Sequence, residues 1–252
     1  MNYLNKYKYL EVNSEIIEYD IKSANVSLCK EYNLLDEKTI SKIEDMNKKQ
    51  RVIKIGLIGR KNKDFMKSLE KHFTETTNKF IELNELNIED DVISIKKDAV
   101  FVLNKNIKYD TIGNHIHFVK KNTYHAYLYL KPFEFYFKKD NSIDVKGLSN
   151  NSYLHKDGLL DILTQLIDLC ENTSCNVKEI NNFMKEFVIL YKEKKLPLNA
   201  YREFNQNSQF KSKIYDENVY LDNINEEMLI NGDIDISYNY INIILPLYRL
   251  IC

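Results

Sequence analysis

Between Val92 and Val102 the chain carries two β-rich runs around a Lys-Lys-Asp tripeptide, and this feature most narrows the folds open to it. Val92-Ile93-Ser94-Ile95 and Ala99-Val100-Phe101-Val102 are rich in residues that suit a pleated, buried surface. Lys96-Lys97-Asp98 is short and polar, so the pair is expected as a hairpin with its acid at the turn. Three further strands are expected at 116–130, 133–138 and 142–148, the last two separated by Lys138-Lys139-Asp140, an exposed turn. Upstream, residues 14–20 read as a short strand ending on Asp20. A helix start follows at 23–32, where Ser23, Asn25 and Ser27 cluster as N-cap residues do. Residues 36–59 carry helical spacing, with Ile40, Ile43, Met46 and Ile53 on one stripe and Lys48, Lys49, Arg51 and Lys54 on another. Helical spacing continues over 65–83 and returns after Asp157, over 159–170 and 177–191. Strand, helices, hairpin and sheet, then helices, make an α+β chain.

Composition sets the outer bounds. With only 6 Gly and 3 Pro in 252 residues, long flexible or Pro-rich linkers are excluded, and no internal repeat is visible. The 36 basic and 37 acidic residues give a net charge of −1, so nucleic acid binding would have to come from local patches rather than the whole surface. Cys29, Cys170, Cys175 and Cys252 lack a second Cys or His pair to complete a zinc site and read as free thiols in a reducing compartment. His115 and His117 alternate on a strand without nearby ligands and read as plain side chains. No signal core opens the sequence, and no apolar run approaches the ~20 residues of a membrane span. The terminal run at 241–252 reads as a buried strand or helix end. A soluble, intracellular, cytoplasmic protein is expected.

The residues that invite chemistry are Asp20 and Asp98, one at the end of a strand and one at a hairpin turn. Hard divalent cations such as Mg²⁺ take oxygen ligands, and two convergent carboxylates plus substrate phosphates make a site for them. Two acids held that close repel one another until a cation neutralises them.

Around these acids the sequence resembles the palm region of family B DNA polymerases, over roughly residues 14–200. The first palm motif of that family runs D-x-x-S-L-Y-P-S, and here Asp20-Ile21-Lys22-Ser23-Ala24-Asn25-Val26-Ser27 keeps the acid and both serines in register. The fingers motif K-x-x-x-N-S-x-Y-G is met by Arg51-Val52-Ile53-Lys54-Ile55-Gly56-Leu57-Ile58-Gly59, which keeps the basic residue and the last glycine. The second palm motif D-T-D-S-V/L-F is met by Lys96-Lys97-Asp98-Ala99-Val100-Phe101, which keeps the second acid and replaces the first by Lys96. A K-K-x-Y strand and a V/I-K-G-L strand follow in the family. Lys120-Lys121-Asn122-Thr123-Tyr124 and Val145-Lys146-Gly147-Leu148 stand in that order here.

The resemblance implies a palm-like antiparallel sheet over 1–150 with a short helical fingers insertion at about 33–85, and a helical, thumb-like region over 151–252. It implies template-directed nucleotidyl transfer, by a DNA polymerase or a primase-like enzyme, with two Mg²⁺ or Mn²⁺ ions held by Asp20 and Asp98. Arg51 would pair the triphosphate of the incoming dNTP, with Lys54 one helical turn on. Ser23 and Asn25 would line the nucleotide, Asn25 standing where the family has a tyrosine that crowds a ribose 2′-hydroxyl, so that rNTPs are less strongly rejected. Lys120, Lys121 and Lys146 would meet the primer–template backbone, and Tyr124 would support their strand. No exonuclease domain fits before Asp20, so low processivity and an accessory polymerase subunit are expected, in a protein of viral or mobile-element origin. The alternative is a catalytically impaired, polymerase-derived module that binds nucleic acid or a replication partner, which Lys96 and Lys97 favour.

Overall fold

The structure, a computed structural model, describes residues 2–131, 133–147, 157–201, 211–214, 217–220 and 226–227. The terminal run at 241–252, with Cys252, and Leu148 of the Lys-Gly-Leu motif lie outside the described residues. In chain order the elements are β1 (Asn2–Leu4), β2 (Leu10–Glu11), β3 (Ile16–Ile21), α1 (Ala24–Glu31), α2 (Glu37–Glu44), α3 (Lys48–Lys61), α4 (Lys63–Leu83), β4 (Val92–Lys96), β5 (Ala99–Leu103), β6 (Thr111–Ile112), β7 (Ile116–Tyr124), β8 (Ala126–Leu130), β9 (Phe133–Phe137), β10 (Ile143–Lys146), α5 (Asp157–Asn172), α6 (Val177–Lys192), β11 (Lys211–Ile214) and β12 (Glu217–Tyr220). The chain is α+β, with antiparallel sheets and six helices among the described residues.

Two units result. The first holds residues 1–8 and 14–124, the second residues 9–13 and 125–252. The division falls at Tyr124–His125, so β8 to β10 group with the later helices and not with the first sheet.

In the first unit a six-stranded sheet runs in the order β1-β4-β5-β3-β7-β6, every pair antiparallel. Its central strand β3 is buried almost throughout, and strict alternation sends Ile17, Tyr19 and Ile21 into the helix-covered core. Val100, Val102, Ile116 and Phe118 join them from neighbouring strands, against Leu28, Ile43, Leu69, Phe73 and Phe80 of the helices. Glu18 and Asp20, on the alternate positions of β3, therefore share the other face.

The helices start where side chains satisfy the orphan N–H groups of a first turn. Asp36 accepts from Thr39 N–H at 2.9 Å and opens α2. Asn47 and Gln50 form a reciprocal capping box at α3, 3.0 and 3.1 Å long, and Asn62 caps α4 through Phe65 N–H at 3.0 Å. The helical spacing over 36–59 is thus two helices with a break at Asp45–Asn47. The break resets the phase, which is why Ile40 and Ile43 are buried while Ile53 is 53% exposed and Ile55 and Gly59 take its place inside.

In the second unit β10-β9-β8-β2 form an antiparallel sheet. Ala126, Leu128, Leu130, Phe133, Phe135 and Phe137 pack with Leu163, Leu166, Ile167 and Cys170 of α5 and Ile180 and Met184 of α6. The single strand expected over 116–130 is two, β7 and β8, separated at His125, whose Nδ1 lies 2.7 Å from Glu171 Oε1. The short strands β1, β2 and β6 and the hairpin β11–β12 carry too few residues for a period to show in sequence. Lys138 to Ser142 form the expected turn, closed by Asp140 accepting from Ser142 N–H at 2.9 Å.

Candidate active site

Asp20 lies near the end of β3, opposite Ala99 of β5 and Val119 of β7. Asp98 occupies the β4–β5 turn, brought there by Lys97, whose φ of 50° turns the chain. The two positions are joined through the backbone, Ile21 N–H donating to the Asp98 carbonyl at 2.9 Å. Together they line a cleft of about 400 Å³ with Lys22, Ser23, Asn25, Lys48, Arg51 and Val119.

The two carboxylates are unevenly satisfied. Asp20 Oδ1 is buried with no hydrogen-bond partner, whereas its Oδ2 accepts from Lys121 Nζ at 2.8 Å. Burial, and then the charge of Asp20, hold Asp98 above the ordinary carboxylate range, opposed by its own backbone N–H, Lys97 and Lys121. A divalent ion would satisfy the orphan oxygen and relieve the repulsion, and an all-oxygen donor set suits Mg²⁺ or Mn²⁺. Among the described residues no group of three or more His, Cys, Asp or Glu side chains is arranged to hold a metal. A divalent ion at this cleft would have Asp20 and Asp98 as its carboxylate ligands among the described lining residues.

Arg51 reaches the cleft from the first turns of α3. Its Nε donates to the Met46 carbonyl at 2.7 Å and its Nη1 to Ser23 Oγ at 3.2 Å, which fixes the guanidinium plane. Ser23 stands at the N-cap position of α1 with a left-handed φ of 50° and makes no side-chain cap. Its hydroxyl receives Arg51 instead, while Ser27 Oγ donates to the Lys22 carbonyl at 2.7 Å. Asn25 lines the cleft, and its Oδ1 is buried without a partner.

The other expected site residues are not among those lining the cleft. Lys54 is exposed on α3 and is not among the cleft-lining residues. Lys120 is exposed on β7 with Glu15 3.9 Å away. Lys121, expected on a nucleic acid backbone, is turned onto Glu18 at 3.2 Å and Asp20 at 2.8 Å. Its ammonium is held above the usual lysine range although burial works the other way, because the Asp20 hydrogen bond and the Glu18 charge prevail. Tyr124 is buried and its hydroxyl donates to Glu18 Oε2 at 2.8 Å. Lys146 lies on β10, in the second unit. Lys97 places its ammonium 4.7 Å from the centre of the Phe73 ring, and Lys96 pairs across the hairpin with Ala99.

Two residues near the carboxylates were not assigned to the site from the sequence. Lys48 lines the cleft three residues before Arg51, on the stripe that helical spacing already gives the two, in a helix that starts after Asn47. Glu18 stands two residues before Asp20 on the same strand face, which alternation alone would have shown.

Residues 1–248 match the family described as Bacteriophage PBS1 gene 130 protein. The chain belongs to that family. Its description names a phage gene product and no reaction, and a phage family agrees with the expected viral or mobile-element origin. No curated protein matches the chain. Among the described residues no helix is long and apolar enough to cross a membrane. The buried thiols agree with unreactive cysteines: burial pushes Cys29 up to about 11, and burial followed by the neighbouring Cys175 pushes Cys170 up to about 12.

Proposed function

We propose that this phage protein is a minimal palm-type nucleotidyltransferase that extends a primer on a nucleic acid template. The observation that carries the reading is the convergence of Asp20, Asp98, Arg51 and Lys48 on one cleft, from a strand end, a hairpin turn and a helix start. Two carboxylates with an orphan oxygen and a strained charge are a cation site; two cations on a helix beside it are a phosphate site. Divalent ions there would lower the pKa of the attacking hydroxyl and stabilise the leaving phosphate.

The chain's own groups then have separate tasks. Asp20 and Asp98 would hold the ions, and the antiparallel pairing of β3 with β5 keeps their backbones in register. Arg51, fixed by Met46 and Ser23, offers a planar donor to the triphosphate, and Lys48 adds a second positive charge. Asn25, small and polar, leaves room at the sugar and accepts rNTPs as well as dNTPs.

A second reading is supported by Lys121, whose ammonium sits on Asp20, and by there being only two carboxylates among the described residues that line the cleft. In that reading the protein is a catalytically impaired module that keeps affinity for primer–template or for a replication partner. Incubation with a labelled primer–template, the four dNTPs and Mg²⁺ or Mn²⁺ separates the two. Templated extension that disappears in Asp20→Asn and Asp98→Asn supports the enzyme. Binding of primer–template without extension under either metal supports the module.

A further inference from the structure

On β7 the pairing with β3 slips by one residue: Glu18 lies opposite Asn122 and Tyr19 opposite Lys120, so Lys121 is the extra residue of a β-bulge. A bulge of this kind re-aims a side chain that regular pairing would hold in the ladder. Here it delivers both Lys121 and Asn122 to the carboxylates of β3, Asn122 Nδ2 donating to Glu18 Oε2 at 2.6 Å. Glu18 is almost completely buried and is satisfied by Asn122, Tyr124 and Lys121 together. It therefore acts as an anchor, and the Lys121 ammonium is tethered where it also covers Asp20 Oδ2.

We propose that Lys121 is a built-in counter-cation that competes with the divalent ion for Asp20, setting how tightly the cleft holds metal. This rests on the reading of Asp20 and Asp98 as metal ligands. In the absence of metal, Lys121 neutralises Asp20 through one oxygen and leaves Oδ1 and Asp98 for a cation. An incoming ion lowers the attraction of Asp20 for the ammonium, and by reciprocity the ammonium lowers the affinity for the ion. Substrate phosphates would supply the extra negative charge that tips the balance, so metal loads together with nucleotide rather than before it.

Mn²⁺ titrations followed by electron paramagnetic resonance, without nucleic acid or nucleotide, test this on wild type, Lys121→Met and Lys121→Gln. Glutamine keeps a donor for buried Glu18 and guards against misfolding, which circular dichroism checks. Both variants are expected to bind Mn²⁺ about tenfold tighter than wild type, within the usual range of coupling between two ligands. Adding Asp98→Asn should abolish that gain. In wild type itself, Mg²⁺ should shift the Lys121 ammonium signal in nitrogen NMR, a readout that needs no variant to fold. Unchanged or weaker Mn²⁺ binding in the folded variants, or an ammonium signal indifferent to saturating Mg²⁺, overturns the inference and leaves the metal site standing. Absence of Asp98-dependent Mn²⁺ binding in every protein overturns the metal reading and the inference with it.

Discussion

Replacing Asp98 by asparagine removes a charge that is half-buried on the β4–β5 turn and faces a second carboxylate. Asparagine is nearly isosteric and keeps an oxygen for the hydrogen bond from the residue's own backbone N–H. Burial and Asp20 raise the folded-state pKa above the ordinary value of 3.8, so ionised Asp98 destabilises the fold at neutral pH. Each pKa unit of such a shift is worth about 1.4 kcal/mol. Lys97 and Lys121 oppose the shift without cancelling it, so Asp98→Asn is expected to stabilise the metal-free protein at neutral pH. For a chain of this size each kcal/mol of stability is worth about 2–4 °C in Tm, so the variant is expected to melt measurably higher. The sign follows from the direction of the shift. The gain is full above the raised folded-state pKa, shrinks as pH falls through it, and is gone below 3.8, where the wild-type carboxyl is neutral in both states. Thermal unfolding by circular dichroism with EDTA, at pH 7 and near pH 4, measures it. If Asp20 and Asp98 are metal ligands as proposed, Mg²⁺ should reverse the order, because it would stabilise only the wild-type pair. A lower Tm for Asp98→Asn in EDTA at pH 7, or a gain undiminished near pH 4, would refute the reasoning.

Four further outcomes are expected. Arg51→Ala and Lys48→Ala should each weaken binding of a fluorescent dNTP about tenfold or more, as loss of a charge-assisted contact does, whereas Lys54→Ala should change it less than about twofold. Single-nucleotide incorporation should show rNTPs used within about a hundredfold of dNTPs, and Asn25→Tyr should widen that gap by blocking the sugar, at a cost of about 1 kcal/mol or more against the ribonucleotide. Tyr124→Phe leaves buried Glu18 one donor short and should cost about 1–2 kcal/mol in urea unfolding. Asn47→Ala removes the capping box of α3 and should cost about 1 kcal/mol by the same assay.

The strand ending on Asp20 and the hairpin turning at Asp98 were legible because both are short patterns read locally: alternation, β-branched residues and a polar turn. Helix starts at Asp36, Asn47 and Asn62 were also local, but their effect on phase was not. Ile53 keeps the helical spacing of Ile40 and yet faces outward, because the chain restarts at Asn47. Ser23 shows a different limit. Its residue type favours capping, but the left-handed backbone turns the hydroxyl toward Arg51, a partner supplied by a helix further along the chain. Lys121 was hidden for a third reason. A bulge is a mismatch between two strands, and neither strand alone announces it.

Asp20 and Asp98 are proposed to share divalent metal in a nucleotide-binding cleft. Anomalous diffraction from crystals grown with Mn²⁺, primer–template and a non-hydrolysable dNTP tests it most directly. Mn²⁺ peaks ligated by carboxylate oxygens of both aspartates are expected, with the triphosphate against Arg51 and Lys48. Nucleotide bound elsewhere, or a cleft in which neither carboxylate touches metal, would contradict it.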